Sequence, residues 1–249
     1  MALQEELEVQ GNFLFRYRSF LPLVLLGMSI ISFVYFYLNT VEYFSIIDYR
    51  YLEIIGLSLS FFGLLTRVFT VGYSAKNTSG RNTKSGQIAD ELNTTGIYSI
   101  VRHPLYVGNF FMWLGPAVLV QNFWFLVTFI FIYWVYYERI MFAEEQFLRK
   151  KFSDEYLSWA KKVPAFVFSF KNYIRPKESF SWKKVLKKEK NGFTAIFVTF
   201  FLFSLIRSYL NQSYAFTDTW LFYATIGSII LYYILKVIKR YTTIFEDGR

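Results

Sequence analysis

Residues 105–137 read LYVGNFFMWLGPAVLVQNFWFLVTFIFIYWVYY, 33 positions without a single charge. As one helix, at about 1.5 Å per residue, the run would reach roughly 50 Å, far beyond a hydrocarbon core of about 30 Å. Gly115-Pro116 and Gln121-Asn122 offer turns near its middle. The stretch therefore reads as a tight helical hairpin at membrane depth. Each arm is short, so both arms reach into the interface.

Four further apolar segments flank it. Leu21–Leu38 carries no charge, and Ile54–Gly72 carries only Arg67; Phe193–Leu210 and Trp220–Leu235 complete a set of six spans. The chain is 54% hydrophobic, 22% aromatic and 18% charged, poorer in charge than a soluble domain of this length. The expected fold is all-α, a polytopic integral membrane protein with cytoplasmic interfacial helices. There is no cysteine and one histidine, which excludes a disulfide framework and any zinc site of usual ligand type. The opening MALQEELEVQ lacks the basic start and cleavage site of a signal peptide, so the first apolar segment reads as a retained span. The abundance of Phe, Ile, Tyr, Lys and Asn suggests an AT-rich, bacterial genome.

The net charge of +9 raises nucleic acid as a partner, but its placement says otherwise. Arg16 and Arg18 precede the first span. Lys76, Arg81, Lys84 and Arg102 follow the second. Fourteen Lys or Arg lie between Glu138 and Gly192, and Lys236, Lys239 and Arg240 follow the sixth span. Basic residues thus collect in every second connection, which places both termini in the cytoplasm. The charge is an orientation signal and a contact for anionic headgroups, with the bacterial inner membrane as the expected location. SWKKVLKKEK, residues 181–190, reads as an anchor on anionic lipid.

The hairpin brings together two polar groups some 40 residues apart. Arg102, His103 and Pro104 open its first arm; Glu138, Arg139, Glu144 and Glu145 follow its second. Each group has a plain reading. Pro104 is an ordinary N1 proline, Tyr98 and Tyr106 suit an aromatic belt, and Gly108 and Gly115 suit helix packing. EEQFLRKKFSDEYLSWAKK, from Glu144, has the periodicity of an interfacial amphipathic helix, whose start favours two acidic residues. Arg67, inside a span, is a functional candidate that also lies close enough to the interface to snorkel. The polar loop 77–93, NTSGRNTKSGQIADELN, is either solvated or a lid that takes an anionic headgroup through Arg81 and Lys84.

Taken in order, GIYSIVRHPLYVGN at 96–109 and EEQFLRKKFSDEYLSWAKKVPAF at 144–166 resemble the isoprenylcysteine carboxyl methyltransferase and phospholipid methyltransferase superfamily. Gly96, Tyr98, Val101, Arg102, His103, Pro104, Tyr106 and Gly108 match its first motif; Glu144, Glu145, Leu148, Phe152, Tyr156, Val163 and Pro164 match its second. Ser153 stands where that family usually has Gly, and the proline after its V-P is absent. The resemblance covers about residues 50–168. It divides the chain into an N-terminal segment with the first span (1–50), a methyltransferase core (51–168) and a basic segment with two C-terminal spans (169–249).

The resemblance implies methyl transfer from S-adenosyl-L-methionine to a lipid or lipid-linked acceptor at the cytoplasmic face, without a metal. It implies that His103, Pro104, Tyr106, Gly108, Glu144 and Glu145 bind the cofactor. Arg102 and Arg139 are candidates for its carboxylate or for an anionic acceptor, and with His103 they form the expected catalytic set. Arg67, Arg81 and Lys84 are the acceptor-side candidates. The acceptor stays open among a carboxylate, a phosphate and an amine; only the amine would need His103 as a base. A membrane reductase using NADPH is an alternative, disfavoured by Glu144-Glu145 where a 2′-phosphate would want basic partners. A scaffold or transporter would leave both motifs unexplained.

Overall fold

The computed structural model describes residues 2–39, 48–75, 78, 81–83, 86–213 and 219–245, with only the backbone given for 81–83 and 86–88. In chain order these form α1 (Leu3–Tyr17), α2 (Leu21–Leu38), α3 (Tyr49–Tyr73), a two-stranded antiparallel hairpin β1 (Arg81–Thr83) and β2 (Gly86–Ile88), a 3-10 turn (Gly96–Ser99), α4 (Pro104–Leu119), α5 (Phe123–Ala160), α6 (Trp182–Leu210) and α7 (Trp220–Tyr241). The helices α2, α3, α5, α6 and α7 are long and apolar enough to cross a membrane. At 16 residues α4 is shorter, about 24 Å of helix. Large apolar side chains such as Leu23, Ile31 and Ile234 are exposed, as lipid contact requires.

Helix starts follow local chemistry. The Asp48 carboxylate accepts from Arg50 N at 2.9 Å, Asn122 Oδ1 from Phe125 N at 2.8 Å, and Ser181 Oγ from Lys184 N at 3.3 Å, each satisfying a donor that the first turn leaves open. The turn between α4 and α5 falls at residues 120–122, where Gln121 adopts φ 57. Gly115-Pro116, the other expected turn, lies inside α4.

The tightest seam runs between α3 and α4. Small residues let the backbones approach: a Cβ on Gly56 would sit 2.7 Å from the Gly115 carbonyl, and one on Gly63 would strike the Gly108 carbonyl. Pro116 has no N–H to give the Met112 carbonyl one turn back. The Ser60 hydroxyl of α3 supplies that bond, at 3.0 Å. The proline and the facing serine thus form one unit.

One element is added and two expectations change at this level. The polar N-terminus is a helix: α1 lies on α5 with Gly11 against the Arg139 carbonyl, and Tyr136 Oη donates to Leu14 O at 3.2 Å. The segment from Glu144 is no separate interfacial helix, because α5 continues through it without a breaker until Ser153, where φ 45 and ψ −116 kink the chain. The basic stretch at 181–190 is likewise the first part of α6, continuous with the fifth span. There Ser181 N donates to Gly72 O at 3.0 Å, and the buried Lys184 ammonium donates to Ser74 O and Ala75 O at 2.5 and 2.9 Å. These bonds pin the start of α6 to the end of α3. Farther along, Thr225 Oγ1 donates to Phe197 O at 3.2 Å and Thr194 Oγ1 to Ser228 O at 3.1 Å, tying α7 to α6.

Candidate active site

The ends of α1, α3 and the beginnings of α2, α4 and α6 meet the middle of α5 around a cavity of about 720 Å³. That volume lies in the range of cofactor and small-ligand sites. Its floor is built by the 96–104 segment. Gly96 has φ +62, a conformation that suits glycine, and its N–H donates to Ile174 O at 2.8 Å. Trp159 Nε1 donates to Tyr98 O at 3.0 Å. Arg102 N and His103 N donate to Pro164 O and Ala165 O, at 2.9 and 3.2 Å. The 163–165 segment thus holds the backbone at Arg102-His103, giving the end of the second motif a structural reason.

His103 stands immediately before α4, 6% exposed, between two carboxylates of α5. Its Nε2 is 2.9 Å from Glu145 Oε1 and its Nδ1 is 3.5 Å from Glu144 Oε2. Arg102 Nε is 3.3 Å from the same Glu145 oxygen. Burial favours the neutral imidazole, but the two carboxylates outweigh it and hold the His103 pKa above its ordinary value. The ring stacks on Tyr106, 5.7 Å between centroids and 20° between planes. Tyr106 is itself held: Tyr133 Oη donates to its carbonyl at 2.7 Å. Burial also raises the Tyr98 hydroxyl well above the usual phenol range, so it stays protonated.

The structure brings Arg67, Arg102, His103, Pro104, Tyr106 and Glu144 to the cavity wall, and Glu145 directly behind it through His103 and Arg102. Two expected residues lie elsewhere. Gly108 faces α3, not the cavity: a Cβ there would come 2.5 Å from Arg67 Cγ and 2.8 Å from Gly63 O. Arg139 points at α1, with Nε donating to Gln10 Oε1 at 3.1 Å. Arg81 lies in β1 with no side chain described, and Lys84 lies outside the described residues.

Other wall residues were not read as site residues from the sequence. Phe15 and Arg18 come from the end of α1, and Asn109, Trp113 and Tyr137 from within the hairpin. Lys188, Glu189 and Asn191 come from α6. Two signals were present: Asn109 is a polar residue one turn inside an uncharged run, and Glu189 is the lone acid among five lysines at 181–190. Among the described residues no cluster of His, Cys, Asp or Glu suits a metal ion.

Residues 52–155 match the family model described as phospholipid methyltransferase. Over 136 residues the chain is 35% identical to a protein-S-isoprenylcysteine O-methyltransferase of Xenopus laevis, covering 53% of this chain and 46% of that one. A protein of the same description from Schizosaccharomyces pombe is 43% identical over 75 residues, 30% of this chain and 31% of its own. One from Saccharomyces cerevisiae is 34% identical over 113 residues, 44% and 46%. The chain therefore spans less than half the length of these relatives. No solved structure matches it.

Proposed function

We propose that this membrane protein, which carries the phospholipid methyltransferase family region at residues 52–155, transfers a methyl group from S-adenosyl-L-methionine to a lipid or lipid-linked acceptor. The observation that carries the reading is the His103 ring held between Glu144 and Glu145 on the wall of a cavity at one end of an apolar helix bundle. A water-soluble zwitterion and an amphiphile meet most readily at such an end. The basic residues clustered toward it support a cytoplasmic opening.

The residues present fit the cofactor. The Glu144 carboxylate suits hydroxyl or ammonium donors, and Tyr98, Tyr106, Trp113 and Trp159 offer aromatic faces around the same space. The Tyr156 hydroxyl lines the same wall beside Glu145. When bound, the cofactor supplies an electrophilic methyl on a sulfonium, a leaving group that needs no acid. What this chain contributes is then orientation and electrostatics. His103 orders the two glutamates, and with both ring nitrogens facing carboxylates its charged, protonated form is favoured. A base role would require that proton to leave. The geometry thus favours an acceptor that is already a nucleophile, a carboxylate or a phosphate, over an amine. Arg67 and Lys188 on the wall favour the same anionic class.

The test is titration of purified full-length protein with S-adenosylhomocysteine and, separately, with NADPH. Saturable binding of the first alone is expected. Binding of NADPH alone selects the reductase, and binding of neither by folded protein rejects both enzymes. Lipid analysis of cells with and without the gene, read for the mass of one added methyl, then identifies the acceptor.

A further inference from the structure

The family match ends at residue 155, yet α6, which starts at Trp182, reaches the cavity wall with Lys188, Glu189 and Asn191. Glu189 is 4% exposed. Its carboxylate takes two bonds from Arg67 of α3, from Nε at 2.7 Å and Nη2 at 2.9 Å. Arg67 Nη1 donates to Asn109 Oδ1 of α4 at 2.6 Å. Asn109 in turn interacts with the Tyr137 hydroxyl of α5. Three helices thus meet at one guanidinium, with α5 joined through Asn109, and three of its five N–H groups are engaged. Arg67 lines the cavity, with 22% of its side chain exposed.

A fork held on one edge by a carboxylate and at Nη1 by an amide has little rotational freedom left. Its remaining donors then have a set direction, which is what recognition of a planar or tetrahedral oxyanion needs. The bonds of Ser181 and Lys184 to the end of α3 fix the register of α6 and hence the place of Glu189.

We infer that Glu189 is a positioning residue for the methyl transfer: it holds the Arg67 guanidinium in the orientation that receives an oxygen of an anionic acceptor, a carboxylate or a phosphate monoester. The inference rests on the methyltransferase reading. It makes α6 part of the site and not an appendage to the matched region.

The experiment uses the full chain in lipid nanodiscs. N-acetyl-S-farnesylcysteine and dodecyl phosphate serve as carboxylate and phosphate probes, and S-adenosylhomocysteine affinity is measured separately. Wild-type protein is expected to bind S-adenosylhomocysteine and to methylate one probe, which tells the two sources apart. Glu189→Gln should raise the KM for that probe by about 10-fold or more, with S-adenosylhomocysteine affinity changed by less than about 3-fold. Glu189→Asp should restore most of the loss. Thr225→Val, which removes a bond between α7 and α6 away from Arg67 and Glu189, should leave the acceptor KM in place. Equal losses of cofactor and acceptor binding in Glu189→Gln, a KM rise in Thr225→Val as large as in Glu189→Gln, or methylation of neither probe by protein that binds S-adenosylhomocysteine would each overturn the inference. Wild-type protein that fails to bind S-adenosylhomocysteine would instead remove the methyltransferase reading beneath it.

Discussion

Glu145→Gln keeps the shape of the side chain and removes its charge. In the wild-type chain Glu145 Oε1 lies 2.9 Å from His103 Nε2 and 3.3 Å from Arg102 Nε. A hydrogen bond to a charged group is worth about 1.5–3 kcal/mol, against about 0.5–1.5 kcal/mol for a neutral one. Because His103 is held above its unfolded pKa of about 6.5, its pairing stabilises the fold fully below that pH and ceases to do so as pH rises through the folded value. The substitution should therefore cost about 1.5–3 kcal/mol below roughly pH 6.5 and less once the wild-type ring has lost its proton. Glu144→Gln should cost less, since its oxygen stands 3.5 Å from Nδ1, beyond a good hydrogen bond. His103 is the only histidine in 249 residues, so one imidazole resonance in a histidine-labelled NMR titration reads it without assignment. Its midpoint should lie above the ordinary histidine value in wild type, fall in Glu145→Gln, and fall by less in Glu144→Gln. A wild-type midpoint at or below the ordinary value, or one unmoved by Glu145→Gln, would refute the electrostatic account of the clamp.

Gly108→Ala should destabilise by about 1–3 kcal/mol through overpacking at the α3–α4 seam, while Gly27→Ala, with nothing within 4 Å of its Cβ, should stabilise α2 by about 0.5–1 kcal/mol. Thermal unfolding in one detergent checks the pair, and equal responses would deny the seam. Ser153→Gly should stabilise by about 1 kcal/mol, because φ 45 and ψ −116 strain a residue with a Cβ; the same unfolding assay reads it. Ser60→Ala should cost about 1–3 kcal/mol by leaving the Met112 carbonyl without its donor, and much less in a Pro116→Ala background, where the restored N–H serves that carbonyl. A double-mutant cycle with no coupling would sink that account.

What was legible in the sequence is what the bilayer enforces and what lies close along the chain. An uncharged run of 33 residues leaves the backbone no option but internal hydrogen bonding, so the hairpin at 105–137 was readable, and with it the meeting of His103 with Glu144 and Glu145. The helix α1 was hidden because it is amphipathic but low in overall hydrophobicity, and its place depends on a close approach at Gly11 to a helix more than 120 residues away. The continuation of α5 past Glu144 was hidden because an amphipathic stretch reads the same whether it starts a new helix or extends an old one. Ser153 is the telling case. In the sequence it is only a departure from a family pattern, and the backbone shows why glycine suits that position.

The same limit governed the site. Glu189 sits among five lysines, and in sequence that surrounding argues for solvated headgroup contact. Folding turns the helix so that the lysines divide their work: Lys184 is buried against Ser74 and Ala75, while Glu189 finds Arg67 across 122 residues. A charge inside a span had already marked Arg67 as functional, but an uncompensated guanidinium at that depth is costly and a partner had to exist. Of the acids near that end of the bundle, Glu144 and Glu145 face His103, and the lone acid of α6 is the one bonded to Arg67. Asking which carboxylate must neutralise a buried arginine would have joined the C-terminal helices to the site before any coordinates did.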